Sequence, residues 1–199
     1  MDSINFADLK HKGRFKNKRQ IILTHTSRPI NYYLTGLRTR HYGSYDKIPH
    51  FVISREGKVF SLINSETYSN ILDILSHNKR SIIISLENLG WLKKNPLQNN
   101  YKNWIGDVTN EEVFRRKWRG HFFWHNYTEV QMDKLVELCN HLTEKHNIPL
   151  KCIGHNVKVD RAEKYEGITS KSNYDRICTS LSPAFDFDLF INKIENYHE

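Results

Sequence analysis

The sequence predicts an α/β fold: a single domain with a central mixed β-sheet flanked by helices. Two observations carry that expectation. Short β-branched runs are interspersed with segments whose apolar residues recur at helical spacing. The chain also has 199 residues, 38% hydrophobic and 12% aromatic, enough for one well-filled core and too few for two full domains.

Residues 1–19 form a basic lead-in, with Lys10, Lys12, Arg14, Lys16, Lys18 and Arg19 nearly alternating. This predicts a solvated arm, or one that binds wall polymer or nucleic acid. Residues 21–26 then read as a buried strand ending in His25. Residues 50–54 and 58–63 read as two more strands, joined by an Arg55-Glu56-Gly57 hairpin turn in which glycine supplies the positive φ. Residues 81–87 make a fourth strand. Alternation places Ile82, Ile84 and Leu86 on one face and Ile83, Ser85 and Glu87 on the other. The clearest helix starts at Thr128, where Thr128 and Gln131 form a capping box. Val130, Leu135, Leu138, Cys139 and Leu142 follow at helical spacing, and the helix closes near His146-Asn147, before Pro149. Residues 151–155 read as a short strand ending in His155, followed by a long polar loop, 156–182. Pro183 opens a last amphipathic helix carrying Phe185, Leu189, Phe190 and Ile194.

Composition narrows the function. Thirty Lys and Arg against 22 Asp and Glu give a formal net charge of +8. That balance favours an anionic partner: nucleic acid, an acidic membrane surface or a bacterial wall. Cys139, Cys152 and Cys178 are odd in number and unpaired in spacing, which argues against a disulfide framework. The polar N-terminus lacks the apolar stretch of a secretory signal, and no run approaches the ~20 apolar residues that span a bilayer. The expectation is synthesis in the cytoplasm without a signal of its own, and no membrane insertion.

Two histidines, His25 in LTHTSRP and His155 in CIGHN, stand at predicted strand ends, where side chains can converge outside the packed core. The order of segments is strand-His-Thr-Ser, the HFVISREGKVFSLI hairpin, the SIIISLEN strand, the YTEVQ-capped helix, IGHN and SPAFDF. It resembles the zinc-dependent N-acetylmuramoyl-L-alanine amidases, the family of phage lysozyme-type amidases and peptidoglycan recognition proteins, over roughly residues 20–195. The resemblance implies a peptidoglycan hydrolase that cuts the amide between N-acetylmuramic acid and L-alanine with zinc-activated water, in a phage endolysin or a virion-associated protein acting on the wall. It implies Zn2+ held by His25, His155 and a third ligand before the P-x-F-D segment.

Several positions depart from the family's pattern. Ser180 stands where its Asp ligand would be. Cys178, two residues earlier in an extended loop, is the better donor; Ser180 or water and the more distant Asp160 are the alternatives. Ser85 and Pro49 occupy the family's usual catalytic Glu and Tyr positions, which leaves Glu87 as a candidate general base or, equally, a structural carboxylate. Lys171 or Arg176 could offset oxyanion charge. His50 is a candidate substrate contact or a packing residue. Residues 89–127 form an aromatic and basic insert in which Trp91 and Trp124 are candidates to stack on sugar rings, against the simpler alternative of packing. The altered positions also admit a catalytically degenerate module that binds peptidoglycan without cutting it. Nucleic acid is not the expected partner, since no recognised motif accompanies the charge.

Overall fold

The apolar strands read from the sequence form the centre of a six-stranded sheet. The structure, a computed structural model, describes residues 2–3 and 13–197. In chain order the elements are β1 (Asp2–Ser3), β2 (Gln20–His25), α1 (Ile30–Thr39), β3 (Phe51–Ile53), β4 (Val59–Ser61), α2 (Leu75–Arg80) and β5 (Ser81–Leu86). They continue with β6 (Trp91–Asn95), β7 (Asn100–Lys102), β8 (Val108–Thr109), β9 (Val113–Trp118), β10 (His121–His125), α3 (Glu129–His146), β11 (Gly167–Ser170) and α4 (Phe187–Glu195).

The main sheet runs β1-β4-β3-β5-β2-β11. β2 pairs parallel with both β5 and β11, and β3 pairs parallel with β5 and antiparallel with β4, so the sheet is mixed as expected. Side chains one residue apart on each strand serve opposite faces. Ile21, Leu23, Ile82, Ile84 and Leu86 pack against Leu135, Leu138 and Leu142 of α3 and Phe190 and Ile194 of α4. On the other face Ile22 and Ile83 meet Ile71 and Leu72, and Val52 meets Leu37 of α1. Strands buried on both faces need the near-continuous apolar runs found in β2 and β5. Each such isoleucine contributes about 1.5–3 kcal/mol by burial.

Half of the expected capping box forms: the Thr128 hydroxyl accepts from Gln131 N at 3.2 Å, but the Gln131 side chain donates to Ile53 O and Glu87 O instead, and Asn147 closes α3 in the left-handed conformation. Gly57 takes φ +79° in the hairpin turn. Four expectations are corrected. Residues 151–155 form only a single bridge, Cys152 to Ile168. The strand beside β2 is instead β11, from inside the segment expected to be a loop. α4 starts at Phe187 behind an Asp186 cap, because residues 183–186 turn before they can helix. Lys18 does not belong to a solvated arm. It is buried, and its ammonium donates to Ser81 O at 3.2 Å and to Thr67 O. Burial lowers its pKa to about 8. Lys10 and Lys12 lie outside the described residues.

Residues 89–127 are more than a surface excursion. They build a second, antiparallel sheet, β8-β7-β6-β10-β9, around Leu89, Leu92 and Val113. Its β9–β10 turn reaches back toward the main sheet, where Arg119 donates to Asp175 O at 3.1 Å and Asn156 O at 3.3 Å.

Candidate functional site

β2 carries His25 to the end of the sheet, where the two sheets meet. The imidazole is 8% exposed. Its Nδ1 lies 3.4 Å from the Tyr127 hydroxyl. Its Nε2 faces Gly90, at φ +77°, where an added Cβ would stand 3.2 Å away. Glycine there allows the close approach as well as the backbone angle. Burial, with the Lys171 ammonium next, lowers the His25 pKa to about 4, so the ring is neutral near neutral pH with a lone pair free. Beside it, Thr24 Oγ1 donates to Ser180 Oγ at 3.1 Å. Burial raises the Tyr127 hydroxyl, which also bonds Ser182.

The other expected ligands do not gather around this ring. His155 is exposed at the start of a loop, its Nδ1 accepting from Val157 N at 3.3 Å and its carbonyl from Asn173 Nδ2 at 2.9 Å. It lies outside β11, so the strand end next to His25 belongs to Ser170 and Lys171. Cys178 is half-buried, close enough to Tyr127 and Arg119 to act on their ionisation, with Sγ 4.0 Å from Ser180 O. Among the described residues, no three His, Cys, Asp or Glu side chains converge where a metal ion could be held. Around His25 stand the Tyr127 hydroxyl and the Lys171 ammonium, and the nearby His125 has its Nδ1 taken up by Leu89 N and Arg55. Hydroxyls are weak donors to zinc, and a cation opposes a divalent one. In this arrangement the residues do not fit a three-ligand zinc centre.

Of the two readings left open for Glu87, this structure displays the structural one. Glu87 Oε1 accepts from Ile30 N at 2.7 Å and Oε2 from Arg55 N at 2.9 Å, so both oxygens hold backbone. His50 is fully buried, its Nδ1 accepting from Ile83 N at 2.9 Å and its Nε2 donating to Thr67 O at 3.1 Å, so it cannot touch substrate. Trp124 is likewise fully buried, its Nε1 donating to Arg116 O at 2.8 Å. Trp91 alone of the two tryptophans keeps an accessible face. It follows Gly90 and stacks on His121 with ring centroids 4.2 Å apart.

Sequence reasoning missed three residues at the site, Gly90, Tyr127 and His125, whereas Lys171, read there as a source of positive charge, does stand close enough to act on His25. Tyr127 directly precedes the legible Thr128 cap, which fixes where its side chain must enter. His125 sits in an aromatic run and gave no separate signal. It is buried, accepts at Nδ1 from Leu89 N at 3.2 Å and Arg55 Nη1 at 3.3 Å, and places Nε2 3.6 Å from Glu111 Oε2. Burial, then the Arg55 and His25 charges, lower its pKa to about 3.

A mixed sheet with helices on both faces, presenting a neutral histidine at a strand end, is the architecture of an α/β amidase domain. The chain belongs to the N-acetylmuramoyl-L-alanine amidase family, whose sequence model matches residues 14–167. Among solved structures it is similar to the N-acetylmuramoyl-L-alanine amidase LysC from Clostridium intestinale URNW, at 14% identity and TM-score 0.54, covering 98% of each chain. It is similar also to the endolysin amidase LysCS from the same organism, at 14% identity and TM-score 0.55, covering 98% of this chain and 95% of that one. The Staphylococcus aureus hydrolase AmiA shares the fold at 6% identity and TM-score 0.51, over 85% of this chain and 63% of that one. No curated protein sequence matches.

Proposed function

We propose that this chain recognises the muramoyl–peptide junction of bacterial peptidoglycan at His25, and does so without a three-ligand zinc centre. Family membership supports the substrate class. The observation that carries the rest is the set of groups acting on His25 (Tyr127, Lys171 and His125), with Ser180 bonded to the adjacent Thr24 and Glu87 committed to two backbone amides. These side chains can bind, orient and exclude water from an amide. The neutral imidazole can donate or accept one hydrogen bond, the Tyr127 hydroxyl a second, and the Lys171 ammonium can hold a carbonyl or carboxylate.

One observation favours the hydrolytic alternative. His25 keeps a free lone pair, and Cys178, a strong zinc donor as thiolate, lies on the same loop as Ser180. On that alternative the chain cuts the N-acetylmuramoyl–L-alanine amide as a zinc enzyme. Its setting would be a phage endolysin, LysCS being described as an endolysin, or a virion-associated wall-degrading protein. In either case the site of action is the cell wall.

Purified protein incubated with peptidoglycan sacculi separates the two. The expected result is co-sedimentation with the walls, substoichiometric zinc by mass spectrometry and no newly exposed alanine amino groups. One zinc per chain, with alanine amines released by the wild type and not by His25→Ala, would establish the enzyme instead.

A further inference from the structure

The second sheet carries a charge imbalance that the site at His25 does not use. Residues 91–106 and 113–128 contain no Asp or Glu, while Lys93, Lys94, Lys102, Arg115, Arg116 and Lys117 are all exposed. Among the described residues none of these cations pairs with a carboxylate. Asp107 and Glu111, between the two stretches, are taken up by Arg28 and Arg55. Strand register gathers three of the cations on one face. Trp91 lies opposite Trp124, so Lys93, two residues on, shares that face, and Lys102 lies directly opposite Lys93. Phe114 also lies opposite Trp124, and the Trp118 ring meets it, so Arg116, midway between them on β9, shares the face too. From β7 to β9 is three strand spacings, about 14 Å.

Charges on an edge strand guard against pairing with another molecule, and that accounts for β9. It does not account for Lys93, because β6 lies inside the sheet between β7 and β10. Like charges directly opposite each other destabilise a sheet, so the Lys93–Lys102 pair carries a cost that no carboxylate of the chain offsets. Cations spread over this width suit a chain of repeated anions better than a single one. The rings narrow the choice further. Trp124 is fully buried, Trp118 has the Arg119 guanidinium 4.3 Å from its centroid, and Trp91 stacks on His121 with the Lys93 ammonium 5.6 Å away. These rings hold cations and one another in place rather than standing free as platforms for successive bases, on which single-stranded nucleic-acid binding depends.

We propose that this face binds an anionic wall polymer with a phosphodiester-linked polyol backbone, its successive phosphates held by Lys102, Lys93 and Arg116. Such a chain repeats one negative charge per unit and has no bases, which matches ordered cations without free stacking surfaces. The contact holds the protein on the wall through a surface separate from His25.

The test is calorimetric binding of the full chain to purified poly(glycerol phosphate), free of peptidoglycan, at low and at physiological salt. The Lys93→Gln/Lys102→Gln/Arg116→Gln variant removes the exposed cations of the face, and a Lys16→Gln/Lys145→Gln/Lys164→Gln control removes as many exposed cations elsewhere. The melting temperature of the first should equal or exceed the wild type's, since a like-charge pair is relieved, and reports an intact fold. The expected result is a roughly tenfold loss of affinity in the first variant and less than about a twofold loss in the control, with wild-type affinity falling as salt rises. A single-stranded oligonucleotide with the same number of phosphates should bind more weakly than the polymer. Failure of the wild type to bind the polymer, affinity indifferent to salt, equal losses in the two variants or tighter binding of the oligonucleotide would each overturn the proposal. The probe contains no muramoyl peptide, so these outcomes leave the recognition reading at His25 to its own test.

Discussion

Glu87 shows how much a single side chain depends on partners far away in sequence. Alternation along β5 correctly sets it on the face of Ser85, at the end where chemistry is expected. What it does there is decided by Ile30 N, 57 residues away, and Arg55 N, 32 residues away, and local patterning carries no trace of either. We expect Glu87→Gln to lower unfolding free energy by about 1–3 kcal/mol, since one buried amide loses its acceptor and the other its charge-assisted bond. Denaturant titration checks this; wild-type stability would return Glu87 to candidacy as a base. His25 was legible because it follows the Ile21-Ile22-Leu23 run at the end of its strand. His155 ends a similar short run, CIGH, yet stays exposed. A four-residue run can be read as a strand whether or not a neighbour is free to pair with it.

Among the elements, legibility follows length and local chemistry. α3 combines 18 residues of helical spacing with a side-chain cap at one end and a left-handed asparagine at the other, all local signals. Its N-cap also joins it to the sheet, because Thr128 Oγ1 donates to Arg55 O at 2.6 Å. Thr128→Ala should therefore cost about 1–2 kcal/mol, at the upper end for a cap, read as a lowered midpoint in thermal or urea unfolding. A loss below a few tenths would mean that the cap is dispensable. β11 escaped notice for the opposite reason. Gly167-Ile168-Thr169-Ser170 is four residues with one large apolar side chain, set in a polar stretch, and its burial comes entirely from docking on β2 and Cys152. The second sheet was hidden in the same way. β9 reads Val-Phe-Arg-Arg-Lys-Trp, and such consecutive charges suit an exposed edge strand that must not pair with another molecule.

At the scale of the whole molecule, the junction of the two sheets is electrostatic as well as apolar. Arg55, from the β3–β4 hairpin, contacts Glu111 and His125 of the second sheet. His125 titrates near pH 3 when folded and near 6.5 when unfolded, so the fold favours the neutral ring. Its contribution is complete above about pH 6.5. As pH falls below that, the unfolded chain takes up the proton first and stability drains away, on the order of several kcal/mol by pH 3. His125→Asn keeps an acceptor where Nδ1 stands and cannot be protonated. Melting temperatures between pH 7 and 4.5 should fall less steeply for this variant than for the wild type; parallel curves would assign the acid sensitivity to other groups.

Arg119 fastens the β9–β10 turn to two carbonyls across the gap between the sheets. Two bonds from a charged donor, each worth on the order of 1.5–3 kcal/mol, bias the two sides toward one spacing before any guest arrives. Little ordering is then left for the moment of contact. A partner would be selected for fitting a set aperture, and bulkier crosslinked strands would be turned away at the threshold rather than accommodated.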